Sequence, residues 1–184
     1  MKNKNYSIRD LCYIGIFTAI IAVCAQVSIP MPYGVPLTLQ TFAIPLAGVI
    51  LGTKKGVIAT LIYILLGAVG APVFAGLTGG LGIIFGATGG FIFAFPIVAF
   101  MAGIGGSKNN RFLLSLCLTI GAAIMFACGM IVFSYITDTG LFASFVAVVL
   151  PFIPTEIIKI ALVVVAGSAI KHAMMKNRLL EPVG

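Results

Sequence analysis

The sequence predicts an all-α integral membrane protein with six transmembrane helices and both termini on the cytoplasmic side. Three observations carry that expectation. Of 184 residues, 61% are hydrophobic and only 8% charged, with a mean hydropathy of +1.22, far outside the range of soluble globular domains. No Asp, Glu, Lys, Arg or His occurs from Leu11 to Thr53 or from Gly56 to Ser107, whereas one bilayer crossing needs about 20 apolar residues, so several crossings follow one another closely. Lys159 aside, the Lys and Arg residues fall in four groups that alternate along the chain with loops holding no basic residue, and an even number of spans puts every group on the side where short basic loops are retained.

Each element follows from that punctuation. Lys2, Lys4 and Arg9 precede the first span, 8–29, whose uncharged run is longer than a usual signal-peptide core. "IAVC" (21–24) loosely resembles a lipoprotein cleavage site, but five further spans follow, and the first is expected to be retained as a helix. In the first outer loop, "IPMPYGVP" (29–36), prolines 30, 32 and 36 stiffen the backbone into what reads as a lid. The second span, 37–53, carries Gln40 just inside its start and ends at Lys54 and Lys55, which join it to the third, 55–73. The outer loop "FAGLTGG" (74–80) leads to the fourth, 83–105, and Lys108 and Arg111 join that to the fifth, 112–136. "YITDTG" (135–140) precedes the sixth, 143–171, which Lys171, Lys176 and Arg178 close. No linker, repeat or low-complexity tract divides the chain, so one membrane domain over 1–184 is expected.

Several chemistries are excluded on the same residues. The formal net charge of +7 reflects membrane topology rather than nucleic-acid binding. Cys12, Cys24, Cys117 and Cys128 all fall within spans, without CxxC spacing or a nearby His, and read as small packing residues with no metal or redox role. "GVILGTKKG" (48–56) misses a phosphate-binding loop: three residues, not four, separate Gly48 from Gly52, and Thr53 intervenes before Lys54. His172 is the one histidine, and the carboxylates Asp10, Asp138, Glu156 and Glu181 form no catalytic pair. The chain is not expected to be an enzyme or to hold a cofactor.

Glu156 and Lys159 stand out because they interrupt an apolar span, "PFIPTEIIKIALVVVAG" (151–167). An intramembrane charge costs on the order of 3 kcal/mol even on the lenient insertion scale, so something must offset it. Three residues apart, the two share a helix face and partly neutralise one another. Two readings stay open: an ion pair that fixes helix packing, or an acceptor and a donor facing a cavity for a polar ligand. "GAPVFAGLTGGLGIIFGATGGF" (70–91) favours the cavity. Its eight glycines are too broken a pattern for two regular helices joined by a tight turn, and irregular backbone at membrane depth must be buried in protein or line a polar space. Thr78 and Thr88 supply hydroxyls there. Gln40 reads either as a ligand contact or as a hydrogen bond between helices.

The segments "IPMPYGVPLTLQTF", "LAGVILGTKKG", "GAPVFAGLTGG", "GATGGF" and "PFIPTEIIK", in this order and spacing, cover most of the chain. Together they resemble the BioY family, the biotin-specific substrate-binding (S) components of energy-coupling factor (ECF) vitamin transporters. The resemblance implies the S-component fold, a biotin pocket facing outward under the first outer loop, and three partners: a transmembrane coupling subunit and two cytoplasmic ATPases that supply the hydrolysis this chain lacks. The family's PxxPxDxxK pattern falls on Pro151, Pro154, Glu156 and Lys159, with Glu in place of Asp. Glu156 is implied as acceptor for a ureido N–H, and Lys159 as donor to the ureido carbonyl or the valerate carboxylate. The polar residue before the Gly-Gly pair is Thr78.

The family's GPTGGY appears as "GATGGF", with Ala87 for Pro and Phe91 for Tyr, so Phe91 keeps a stacking face and loses a hydroxyl. Phe74, Phe91 and Tyr33 in the lid are implied as the apolar wall, and Gly15 and Ala19, at small-xxx-small spacing on the first span, as the coupling surface. An S component for a different vitamin, a standalone transporter, or a purely structural membrane protein are the competing readings. Duplicated halves, expected of many standalone transporters, are not visible in the chain.

Overall fold

The computed structural model describes residues 6–108 and 110–177; Lys2, Lys4, Arg178 and Glu181 lie outside them. Helix α1 spans Ile8–Gln26 and opens on a reciprocal cap, in which the Asp10 N–H donates to Ser7 Oγ at 3.2 Å and the Ser7 N–H donates to Asp10 Oδ2 at 3.3 Å. The Asp10 carboxylate also pairs with the Lys55 ammonium.

The first span was expected to run to residue 29, and the second to start at 37. Instead the chain leaves helix at Gln26 and forms a short antiparallel hairpin, β1 (Ser28–Ile29) against β2 (Leu37–Thr38), around a 3-10 turn at Pro32–Gly34. Pairing backbone with backbone satisfies a segment in which Pro30, Pro32 and Pro36 lack N–H groups and cannot sustain a helix. Helix α2 then runs over Gln40–Leu51 and stops at Gly52, whose φ of 81° only glycine adopts readily. Helix α3, Thr53–Ala68, starts at once.

Between α3 and α5 (Gly89–Ser107) lies the glycine-rich segment, where the expected spans 55–73 and 83–105 each lose several residues to loop. A bridge joins Phe74 to Thr78, the Phe74 N–H donating to the Thr78 carbonyl at 2.9 Å, and a single helical turn, α4, spans Leu81–Ile84. Gly70, Gly76, Leu77 and Gly80 all have positive φ, which is why neither flanking helix continues through.

Helix α6, Arg111–Thr137, is capped by Asn110, whose Oδ1 accepts from the Phe112 and Leu113 N–H groups. The last segment is one interrupted rod: α7 (Leu141–Val148), a 3-10 turn at Leu150–Phe152, α8 (Ile153–Leu162), a π-helical turn at Val163–Gly167, and α9 (Ser168–Lys176). Pro151 and Pro154 cause the first interruption.

Helix α5 is the central element, packed against α6, α2 and α3, with a core that includes Phe95, Ala99, Ile44 and Met125. Backbones approach closely there: a Cβ on Gly48 of α2 would meet the Ala99 carbonyl of α5, and one on Gly56 of α3 would lie 2.7 Å from the Gly48 Cα. Large apolar side chains such as Val23, Phe93, Phe100, Ile131 and Val165 face outward. Among the described residues, four helical stretches are long and apolar enough to cross a membrane: α1, α5, α6 and the composite Leu141–Lys176. Helices α2 and α3 are shorter, at 12 and 16 residues.

Candidate functional site

The Pro151/Pro154 interruption does more than bend the rod: it starts a new helix inside the protein. Glu156 falls in the first turn of α8, where unpaired N–H groups favour a carboxylate, and Lys159 follows one turn on. Both side chains point inward and each residue is 7% exposed. Lys159 Nζ lies 3.5 Å from Glu156 Oε2 and donates to Thr41 Oγ1 on α2 at 2.7 Å. Lys159 thereby links Glu156 and Thr41 into a three-membered polar cluster between α8 and α2. An ammonium has three N–H donors, so Lys159 keeps one for a further acceptor.

This cluster lines a cavity of about 390 Å³, within the size range of small-molecule sites. Gln40 and Thr41 contribute from α2, Phe74 and Thr78 from the glycine-rich loop, Phe91 and Phe95 from α5, Phe126 from α6, and Phe152 beside α8. Gly34, Val35, Pro36 and Thr38 of the hairpin segment add to the lining. None of the lining residues comes from α1 or α3.

Seven residues singled out from sequence therefore meet at one space: Gln40, Phe74, Thr78, Thr88, Phe91, Glu156 and Lys159. Thr78 donates its hydroxyl proton to the Ala75 carbonyl at 2.9 Å, which leaves the oxygen lone pairs as acceptors. Tyr33 stands apart. At φ 74° its backbone turns the side chain outward; it is 69% exposed, and its neighbour Gly34 lines the cavity instead, so the aromatic wall does not include it. Gly15 and Ala19 lie away from the cavity on the exposed side of α1, with no atom within 4 Å of where a Gly15 Cβ would stand.

Several contributors escaped the sequence reading, Phe95, Phe126 and Phe152 among them. Thr41 is the Lys159 partner across 118 positions, and no local pattern signals such a contact. Gly67 and Gly129 are seats for the two wall aromatics: the Phe74 ring lies over Gly67 and the Phe91 ring over Gly129, each filling the space of a missing Cβ. Phe74 is further braced edge-on by Tyr63, with ring centroids 5.6 Å apart.

Tyr63 has a second task. Fully buried, at 0% exposure, it donates its hydroxyl to Gln40 Oε1 at 2.8 Å, fixing the amide so that its NH₂ is left for the cavity. Tyr63→Phe leaves that oxygen unpaired, at a cost of about 1 kcal/mol. The expected result is a roughly fivefold loss of ligand affinity in an otherwise folded protein, read by titration calorimetry.

A chamber with aromatic walls and a paired acid and base at one end, held among helices with apolar outer faces, defines a membrane-embedded binding protein for a small, polar-tipped solute. The chain belongs to the BioY family, whose model matches residues 1–176, and it is a multi-pass membrane protein. A probable biotin transporter BioY of Pyrococcus horikoshii is 40% identical over 89% of this chain and 96% of that protein. The biotin transporter BioY of Thermotoga maritima is 38% identical over the same shares, and that of Rhodobacter capsulatus 36% over 83% and 87%. Among solved structures, the 2.1 Å crystal structure of the S-component for biotin from an ECF-type ABC transporter matches with a TM-score of 0.84 and 28% identity, over 94% of this chain and 95% of that one.

Proposed function

We propose that this chain is the biotin-capturing S component of an ECF-type importer, a single membrane domain of six crossings. The observation that carries the reading is the Glu156–Lys159–Thr41 cluster at the end of an aromatic chamber. Biotin is apolar in its middle and polar at both ends. Glu156 accepts from a ureido N–H, Lys159 donates to a ligand oxygen, and Phe74 and Phe91 cover the ring system and alkyl chain. Thr78 and Gln40 supply an acceptor and a donor.

Helices α2 and α3 complete the six crossings, their shortness offset by the hairpin above α2 and the glycine-rich loop above α3. Contacts among the basic groups support cytoplasmic termini: Lys55 pairs with Asp10 at the start of α1, and Lys171 Nζ donates to the Gly106 carbonyl near the end of α5 at 2.6 Å. With Gly103 of α5 packed against Thr53 at the start of α3, these contacts draw the described basic residues toward one another, which supports a topology set by positive charge. Gly15 and Ala19 form the face that docks a transmembrane coupling subunit, and two ATPases bound to that subunit supply the hydrolysis.

The test is calorimetric titration of biotin into the purified protein, stripped of bound ligand, with thiamine and riboflavin as controls. Tight, selective heat is expected with biotin; none from folded protein overturns the assignment. Biotin amide then separates the two candidate oxygens. Unchanged affinity assigns Lys159 to the ureido carbonyl, and a loss assigns it to the carboxylate.

A further inference from the structure

Gln26, the last residue of α1, lines no part of the cavity, yet its amide is committed to the loop that does. Its Nε2 donates to the Val73 and Phe74 carbonyls, each at 3.1 Å, and lies as close to the Ala22 carbonyl of its own helix. Its Oε1 accepts the Leu77 N–H at 2.9 Å. One side chain thus satisfies three backbone groups within five residues of irregular chain. Leu77 needs this support, because at φ 57° it holds a left-handed conformation that a branched side chain disfavours.

The clamped stretch is the one that presents Phe74 and Thr78 to the cavity, with their mutual bridge closing just beyond the Gln26 contacts. We propose that Gln26 is a positioning residue of the binding site, holding loop 73–77 against the end of α1 in the shape that grips the ligand; the ligand's identity rests on the biotin reading above. Gln26 also follows Gly15 by 11 positions and Ala19 by 7, close to three and two helical turns, and so stands on the same stripe of α1 as the proposed docking face. The grip of the loop and the placement of α1 are joined through this one amide.

The test uses the purified full chain and two variants. Gln26→Leu removes all the bonds; Gln26→Glu keeps the shape and the acceptor for Leu77 but turns the donor into a carboxylate facing two carbonyls. In both, amide hydrogen exchange over 73–80 of the ligand-free protein is expected to quicken at least tenfold while α5 and α6 exchange as in wild type, and biotin is expected to dissociate at least tenfold faster. The Leu77 amide itself stays better protected in the Glu variant than in the Leu variant. Should Gln26→Leu not fold, the Glu variant alone decides.

Wild-type exchange and dissociation in a folded variant overturn the proposal, as does faster exchange spread evenly over the chain, which marks a general loss of stability. Exchange needs no ligand, so failure of wild-type protein to bind biotin leaves this readout intact. Conversely, wild-type protein that binds biotin, beside variants that match it, removes the clamp and leaves the biotin reading standing.

Discussion

Lys159→Met lowers biotin affinity by at least about 100-fold, equivalent to roughly 3 kcal/mol. Two costs combine. The ligand loses a charged donor, and Glu156 is left buried beside Thr41 without its counter-charge, a situation that costs on the order of 3–5 kcal/mol when one partner of a buried pair is removed. The single variant is therefore also less stable to heat. Glu156→Gln/Lys159→Met separates the two costs, since with no buried charge left, thermal stability returns toward wild type while biotin binding stays lost. A double variant that recovers wild-type affinity makes the pair a packing device and removes it from the site. Calorimetry and thermal unfolding of the same three samples give both readings.

Gly129→Ala is expected to weaken biotin binding at least tenfold while helix α6 is retained. Alanine favours helix over glycine by about 1 kcal/mol, so the local backbone gains. The added methyl, however, occupies the place of the Phe91 ring, which has to swing away. The open direction is the chamber it already borders, so the ligand's space shrinks, and overpacking of this kind costs about 1–3 kcal/mol. Gly129→Ala/Phe91→Leu vacates the clash and should recover part of the affinity. Unchanged binding in Gly129→Ala would mean that the Phe91 ring does not abut the ligand. The corresponding seat at Gly67, beneath Phe74, obeys the same logic.

The parts of this structure that local chemistry controls were readable from the chain. Proline and glycine mark where helices stop, and two charges placed three residues apart in an apolar run identify the face of α8 that turns inward. Other features depend on partners far away in sequence. Whether residues 27–39 extend flanking helices or fold into a hairpin is decided by backbone pairing between Ser28 and Thr38, which composition does not encode. The family resemblance implies Tyr33 as a wall aromatic, but a left-handed turn points it elsewhere. Thr41, Gly67, Gly129 and Gln26 carry no signature of their own. A threonine, two glycines and a glutamine in membrane helices are ordinary until tertiary packing sets them against a lysine, two phenylalanine rings and a strained loop.

The lining of the chamber comes from the hairpin, α2, the glycine-rich loop, α5, α6 and α8, while α1 lends it no side chain. Its wall and its outward face are thus written in separate stretches of sequence. Side chains on the wall can grow, shrink or change polarity without altering the face of α1 proposed to dock a coupling subunit, and the Gln26 amide is the link from that helix to the chamber's loop.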